Sequence, residues 1–157
     1  MGKKFRETSA VDLKELIADL NRAYCDEWLA YYAYTYASQV VSGKGYEDME
    51  EFLEKIAKEE LEHQEELSDM IQKLGGMPVA NPSDLEKNAN FPYPKPPKDT
   101  ADYEKIINFV LEAEGNAIDV YRKLVKKTAG KEDVVCDLIK HILSEEVDHE
   151  EMFENLK

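Results

Sequence analysis

Cysteine, long apolar runs and an apolar N-terminal segment are scarce in this sequence, and each scarcity excludes a class of protein. The 157 residues include only two cysteines, Cys25 and Cys136, which lie far apart and outside any Cys-x-x-Cys pattern. Neither a zinc knuckle nor a rubredoxin-type iron site can therefore be built from thiolates. No apolar stretch approaches the roughly 20 residues that span a membrane, and residues 1–6 lack the apolar segment of a secretory signal. We expect a single cytoplasmic domain over residues 1–157.

Positive charge is also in short supply. The sequence has 20 Lys and Arg residues against 34 Asp and Glu residues, which gives a formal net charge of -14 at pH 7. Nucleic-acid binding needs clustered Lys and Arg, and Lys3, Lys4 and Arg6 form only a weak basic tail. A nucleic-acid partner is therefore not expected. A cation is the favoured ligand, although we expect most of the acidic residues to lie on the solvent-exposed surface.

Proline is confined to one window of the chain. All six prolines fall between Pro78 and Pro97. On either side, apolar residues recur at helical spacing over long stretches, and no strand pattern competes with them. The sequence predicts four long helices, at about residues 10–41, 46–74, 100–129 and 132–155, with a proline-rich crossover at residues 75–98.

The links between these helices predict the topology. The link at residues 42–45 and the link at Gly130 are too short to carry the chain back along a helix, so each pair of helices forms an antiparallel hairpin. The crossover, at roughly 3.3 Å per residue, is long enough to run the length of a helix. The predicted fold class is all-α: a four-helix bundle of two antiparallel hairpins joined by a long crossover.

The pattern Glu-x-x-His occurs twice, at residues 60–63 and 146–149. Residues three apart on a helix share a face, so each pair can direct a carboxylate and an imidazole to one point. Both pairs lie within the apolar stripe of their helix. We therefore expect these four polar side chains in the core.

One glutamate from each of the other two helices completes the set. In the first helix Glu27 lies on the apolar stripe, whereas Asp26 points away from it. In the third helix Glu114 lies among apolar residues, while Glu112 lies among polar ones, so we choose Glu114. Two residues of an antiparallel hairpin are level when the turn bisects them in sequence. The sequence midpoint of Glu27 and Glu60 falls in the first predicted turn, between residues 43 and 44. The midpoint of Glu114 and Glu146 falls in the second, at Gly130.

Four carboxylates and two imidazoles are thus expected to converge at mid-bundle as ligands of two metal ions. The predicted ligands are Glu27, Glu60, His63, Glu114, Glu146 and His149. Two divalent ions would neutralise the four negative charges, whereas a buried set without metal would be costly. Carboxylates with one imidazole per metal suit Fe(II) or Mn(II), and the absence of thiolate ligands argues against a closed structural zinc site. Six ligands shared by two metals leave positions open for dioxygen or peroxide.

With this ligand set, the sequence resembles the ferritin-like superfamily over residues 10–156, in particular bacterioferritin and the Dps-like ferritins. Three segments are similar in sequence to the Dps-like branch: residues 27–32, 111–114 and 136–146. The resemblance implies two terminal ligands for each iron and two bridges: Glu27 and His63 for one iron, Glu114 and His149 for the other, and Glu60 and Glu146 as the bridges. The implied activity is oxidation of Fe(II) by hydrogen peroxide or dioxygen, with iron storage in a hollow homo-oligomer and protection against oxidative stress.

The sequence departs from its relatives at four points. Leu61 stands where bacterioferritin has its haem-ligating methionine, so no haem is expected. Gly115 and Asn116 stand where the Dps-like branch often carries a cysteine beside the site. A four-cysteine domain of the rubrerythrin kind is absent. Only residues 150–157 follow His149, too few for the fifth helix of 24-subunit ferritins, and this favours a 12-subunit Dps-like shell.

A tyrosine completes the expected site. Tyr34 lies seven residues after Glu27, two turns along the same face, where similar ferritins keep a tyrosine that can donate an electron. Tyr121 has the same spacing from Glu114. Two other functions remain open at this point. One is a dinuclear iron or manganese peroxidase, catalase or oxygenase that stores no mineral, and the other is a non-catalytic helical interaction protein.

Overall fold

The computed structural model describes residues 2–157, and this part of the chain contains helices but no strand. Its six α-helices are α1 (Lys3–Thr8), α2 (Leu13–Val40), α3 (Tyr46–Lys73), α4 (Leu85–Asn88), α5 (Tyr103–Thr128) and α6 (Asp133–Glu154). A single turn of 3-10 helix, Pro82–Asp84, precedes α4. Among residues 2–157, no helix combines the length and the apolar character needed to cross a membrane.

The four long helices form two antiparallel hairpins. Helix α2 packs against α3, and α5 packs against α6. Gly45 at the start of α3 has a φ of 74° and Gly130 before α6 has a φ of 69°. Glycine adopts this left-handed conformation at little steric cost, so both turns can be tight. The predicted fold class, a four-helix bundle of two hairpins joined by a long crossover, is confirmed.

Aspartate side chains determine where two of the long helices begin. Asp12 accepts a hydrogen bond from the backbone N–H of Glu15, and Asp102 accepts one from the backbone N–H of Lys105. Such caps satisfy a donor that has no partner inside the helix. As a result, α2 and α5 begin three residues later than the positions 10 and 100 expected from the sequence.

The crossover contains regular secondary structure that its proline content did not suggest. It contains the 3-10 turn and α4, neither of which was predicted, and α4 packs against α2. Asn21 of α2 holds the start of the crossover, because its side chain donates to the carbonyl of Met77 and accepts from the N–H of Val79. The short helix α1 was also not predicted.

The core consists of two apolar clusters separated by a polar layer. One cluster includes Leu16, Leu67, Leu124 and Ile139, and the other includes Leu53, Ile56, Ile106, Val110 and Phe153. On each long helix, the residues of the polar layer lie in sequence between a member of one cluster and a member of the other. Apolar packing therefore fixes the layer from both ends.

Candidate metal centre

All six predicted ligands lie in the polar layer. Each is at most 2% exposed: Glu27, Glu60, His63, Glu114, Glu146 and His149. Helices α2 and α5 each supply one glutamate, while α3 and α6 each supply a Glu-x-x-His pair. Glu112, the alternative to Glu114, is exposed to solvent. The structure thus brings the whole predicted set together in two overlapping clusters.

The first cluster surrounds the Nδ1 atom of His63. This atom lies 3.8 Å from Oε2 of Glu27, 3.4 Å from Oε2 of Glu60 and 3.1 Å from Oε1 of Glu146. One ligand atom from each of the four residues lies within 4.8 Å of the others. An ion held by N and O atoms at about 2.0–2.2 Å has neighbouring ligand atoms no more than roughly 4.4 Å apart. The measured distances from Nδ1 fit a single bound cation.

The second cluster surrounds the Nδ1 atom of His149. This atom lies 3.2 Å from Oε2 of Glu114, 3.6 Å from Oε1 of Glu60 and 3.8 Å from Oε2 of Glu146. Glu60 and Glu146 thus belong to both clusters. Each of them directs one carboxylate oxygen toward His63 and the other toward His149. This arrangement suits two carboxylates that bridge two ions.

Burial and crowding change the acidity of the ligands. Burial, and then the neighbouring carboxylate of Glu146, raise the pKa of Glu60 well above its usual value and that of Glu114 to about 8. Burial also opposes ionisation of Glu146, but the two nearby imidazoles hold its pKa at about 2. Burial lowers the pKa of His149, yet Glu114 and Glu146 outweigh it and raise that pKa to about 12. The layer therefore needs positive charge beside its carboxylates.

Three ligand atoms are buried without a hydrogen-bond partner among residues 2–157: Nδ1 of His63 and both carboxylate oxygens of Glu146. His63 Nδ1 and Glu146 Oε1 lie 3.1 Å apart, but they are not aligned for a hydrogen bond. An unpaired buried polar group costs about 1–3 kcal/mol. Divalent cations fit these residues, because an ion in the first cluster would bind His63 Nδ1 and Oε1 of Glu146, and an ion in the second would bind Oε2 of Glu146. Carboxylate oxygen and imidazole nitrogen suit Fe(II) or Mn(II).

Two glutamates that the sequence analysis did not select hold the outer nitrogens of the histidines. His63 Nε2 donates to Oε2 of Glu145 at 2.8 Å, and His149 Nε2 donates to Oε2 of Glu59 at 2.7 Å. Each of these orienting glutamates comes from the opposite Glu-x-x-His helix. Because a glutamate holds Nε2 of each ring, Nδ1 is the nitrogen that faces the ligand carboxylates and can bind a metal once it has released its proton. The sequence does contain a signal for these two residues, because in both motifs a second glutamate directly precedes the ligand glutamate, as Glu-Glu-x-x-His.

Two buried tyrosines donate hydrogen bonds to the buried glutamates of α2 and α5. The Tyr34 hydroxyl donates to Oε1 of Glu114, and the Tyr121 hydroxyl donates to Oε1 of Glu27. Burial, and then the facing carboxylate, raise the pKa of both phenols well above 10, so both remain protonated donors. The sequence placed Tyr34 on the face of Glu27. In the structure its side chain reaches α5 and contacts Glu114, which belongs to the other cluster.

Comparison with known sequences agrees with this architecture. A family model described as a ferritin-like domain matches residues 17–157. The DNA protection during starvation protein from Pyrococcus furiosus is 32% identical over an alignment of 158 positions, which covers 99% of this chain and 83% of that protein.

Solved structures show the same fold. The dodecameric thioferritin from Bacteroides fragilis, a bacterioferritin-related protein, is 35% identical and superposes with a TM-score of 0.89, over 93% of this chain and 86% of that one. The Dps homologue from Halobacterium salinarum is 21% identical and superposes with a TM-score of 0.83, over 92% of this chain and 79% of that one. At 21% identity, the similarity to the Halobacterium salinarum protein shows a shared fold alone.

Proposed function

The chain belongs to the ferritin-like family, in its Dps-like branch, and on that premise we propose that it is a ferroxidase. Its substrate is Fe(II), bound as two ions per subunit in the two ligand clusters, and its oxidant is hydrogen peroxide or dioxygen. With peroxide, two Fe(II), one H₂O₂ and two protons give two Fe(III) and two water molecules. Each iron loses one electron, and the O–O bond breaks.

One observation carries this proposal: Glu60 and Glu146 each present one oxygen to His63 and one to His149. A two-electron oxidant such as peroxide needs two one-electron donors side by side. Bridging carboxylates hold two Fe(II) ions close enough to act together. The protein's own part is to fix these ligands in place, through the orienting glutamates and the two tyrosine hydroxyls.

We also propose that the subunits form a hollow homo-oligomer of 12 chains that stores the ferric product. The Bacteroides fragilis thioferritin is dodecameric, and this chain is similar to it along most of its length. The net charge of -14 attracts iron cations and opposes nucleic-acid binding. Protection against oxidative stress then follows from the chemistry, because the reaction consumes both Fe(II) and peroxide.

Anaerobic titration with Fe(II), followed by peroxide, tests both parts of the proposal. We expect two tightly bound Fe(II) ions per chain, one peroxide consumed per two Fe(II), and particles of 12 subunits by light scattering that accumulate iron. Parallel titration with Mn(II) identifies the preferred metal. A monomer or dimer that turns over peroxide but holds no iron core would contradict storage. A protein that binds no Fe(II) would contradict the ferroxidase itself.

We propose that Tyr34 donates an electron during the reaction with dioxygen, and that Tyr121 is placed to do the same. Reduction of dioxygen to water takes four electrons. Two Fe(II) ions supply two of them, and two tyrosines would supply the other two. The phenols give two of the four protons that the two water molecules require, and solvent gives the other two. We expect a tyrosyl radical signal by electron paramagnetic resonance after oxygen is added, weaker in Tyr34→Phe and absent from the double variant with Tyr121→Phe. Tyr31→Phe, a partly buried tyrosine outside the layer, is the control. An unchanged signal in the double variant would exclude both tyrosines.

A further inference from the structure

A small cavity reaches the ligand layer from the side of α2, α5 and the crossover. Its volume is about 60 Å³, and the four ligand carboxylates and both buried tyrosines line it, whereas neither ligand histidine does. A cavity of roughly 10–15 Å³ can hold one water molecule. The cavity therefore has room for a molecule of two heavy atoms beside the carboxylates.

The remaining walls of the cavity are mostly apolar. Small residues such as Ala30 and Ala117 form the sides on α2 and α5, and Phe91 and Pro94 of the crossover also line the space. Within residues 2–157, no Lys or Arg side chain lines it. Such walls cannot replace the hydration shell of an ion. With two divalent ions bound, the four carboxylates are neutralised as well, so the cavity suits an uncharged molecule.

Asp26 holds the crossover against this cavity. Its Oδ1 accepts hydrogen bonds from the backbone N–H of Asn90 at 2.8 Å and of Phe91 at 3.3 Å, and its Oδ2 accepts one from the Asn90 side-chain amide at 2.5 Å. The ring of Tyr93 lies 6.0 Å from that of Tyr32 on α2, which gives the same segment a second anchor. Both Asp26 and Phe91 line the cavity, so the anchored segment closes it on the crossover side.

We propose that this cavity binds the uncharged oxidant, hydrogen peroxide or dioxygen, and that Asp26 is a positioning residue that keeps the crossover closed over it. The proposal deepens the proposed ferroxidase function and rests on it. It assigns the oxidant to the side of the tyrosines, opposite the outer nitrogens of the histidines.

Ala117→Leu tests the binding site by filling the cavity. In xenon-pressurised crystals, we expect xenon, an uncharged probe of small cavities, to bind beside Ala117 in the wild type and not in the variant. When protein preloaded with Fe(II) is mixed with peroxide, we expect Ala117→Leu to slow the oxidation about tenfold. Anaerobic Co(II) titration should still give two ions per chain. Ala18→Leu, at an exposed position of α2, is the matched control, and Ala30→Val fills the facing wall if Ala117→Leu does not fold.

Asp26→Ala tests whether the crossover closes the cavity, because this variant should open the cavity rather than fill it. We expect faster hydrogen exchange at the amides of Asn90 and Phe91 and a faster peroxide reaction, again with two Co(II) ions per chain. Failure of the wild type to bind two Co(II) ions would overturn the ferroxidase function. Normal Co(II) binding without a xenon site, or with an unchanged peroxide rate in Ala117→Leu, would overturn the oxidant cavity alone. Slower Co(II) loading in Ala117→Leu would also overturn it, because the cavity would then be the metal route.

Discussion

The cluster around His63 and the cluster around His149 are built from the same groups in the same order. Each histidine directs Nδ1 toward both Glu60 and Glu146, and its Nε2 donates to a glutamate of the opposite helix. Glu27 and Glu114 each accept a hydrogen bond from a tyrosine of the facing helix. The repetition follows from the sequence, because each hairpin carries one buried glutamate on its first helix and Glu-Glu-x-x-His on its second.

The two clusters differ in what lies outside them. The carboxylate of Glu145, which orients His63, lies 3.6 Å from the exposed imidazole of His141. The carboxylate of Glu59, which orients His149, lies 3.7 Å from the ammonium of Lys55. A fixed positive charge beside Glu59 offsets the negative charge that helps His149 to bind a cation. The repeat therefore specifies the ligands, while the surroundings can make the two metal affinities unequal.

Glu60→Gln should have the largest effect, because Glu60 belongs to both clusters. A ligand present at 100 times its Kd stabilises a protein by about 2.7 kcal/mol, and 1 kcal/mol shifts the melting temperature of a chain of this size by about 2–4 °C. Two ions at that concentration should therefore raise the melting temperature of the wild type by about 10–20 °C. We expect this rise, measured by calorimetry with Co(II), to be lost in Glu60→Gln.

The control for this experiment is Glu112→Gln, which removes a carboxylate from an exposed position of α5. It should keep the full rise in melting temperature. If Glu60→Gln also kept the full rise, the bridging role of Glu60 would be wrong, and the two clusters would have to bind ions independently.

Glu27→Ala and Glu114→Ala should each break one cluster and leave the other. Each residue faces a single histidine, Glu27 facing His63 and Glu114 facing His149. We expect the number of tightly bound Co(II) ions to fall from two to one in either variant and to zero in the double variant. Visible absorption during anaerobic titration measures this number. Loss of both ions in a single variant would show that the two clusters bind only as a unit.

The ligand positions were predictable because they depend on local spacing. Helical periodicity places Glu60 and His63 on one face, and it separates Glu114 from Glu112. The hairpin turns then bring ligands of neighbouring helices to one level. Both rules need only the residues of one hairpin, and the structure follows them: Glu114 is buried in the layer and Glu112 is exposed.

The surroundings of the ligands were not predictable, because they depend on contacts between hairpins. Glu59 and Glu145 lie one residue away from the apolar stripe and therefore have the pattern of surface residues. Only the packing of α3 against α6 brings each of them to a histidine of the other hairpin. Tyr34 reaches Glu114 across the same kind of interface. Helical periodicity correctly predicted that Asp26 points away from the ligands. Asp26 instead binds the crossover, and the sequence does not specify the path of that segment.

Glu59→Gln and Glu145→Gln should weaken one cluster each without removing a ligand. Loss of a carboxylate that orients a metal-binding histidine typically lowers metal affinity about 10–100-fold. We expect Glu59→Gln to act on the His149 cluster and Glu145→Gln on the His63 cluster. The assignment is clearest in single-site backgrounds: Glu27→Ala retains only the His149 cluster, and Glu114→Ala retains only the His63 cluster. Glu62→Gln, an exposed neighbour of His63, is the control. Equal effects of either substitution in both backgrounds would refute the crossed pairing.

Lys55→Ala should produce the smallest effect and tests the difference between the clusters directly. Removing the ammonium beside Glu59 should strengthen Co(II) binding at the His149 cluster by up to about fivefold, because exposed ion pairs are worth roughly 0.2–1 kcal/mol. The gain should disappear at high salt, where such charges are screened. Lys58→Ala is the matched control, because Lys58 pairs with Glu54 and not with an orienting glutamate. If both variants strengthened binding equally, the cause would be the overall charge of α3, and the two clusters would be equivalent in their surroundings as well as in their ligands.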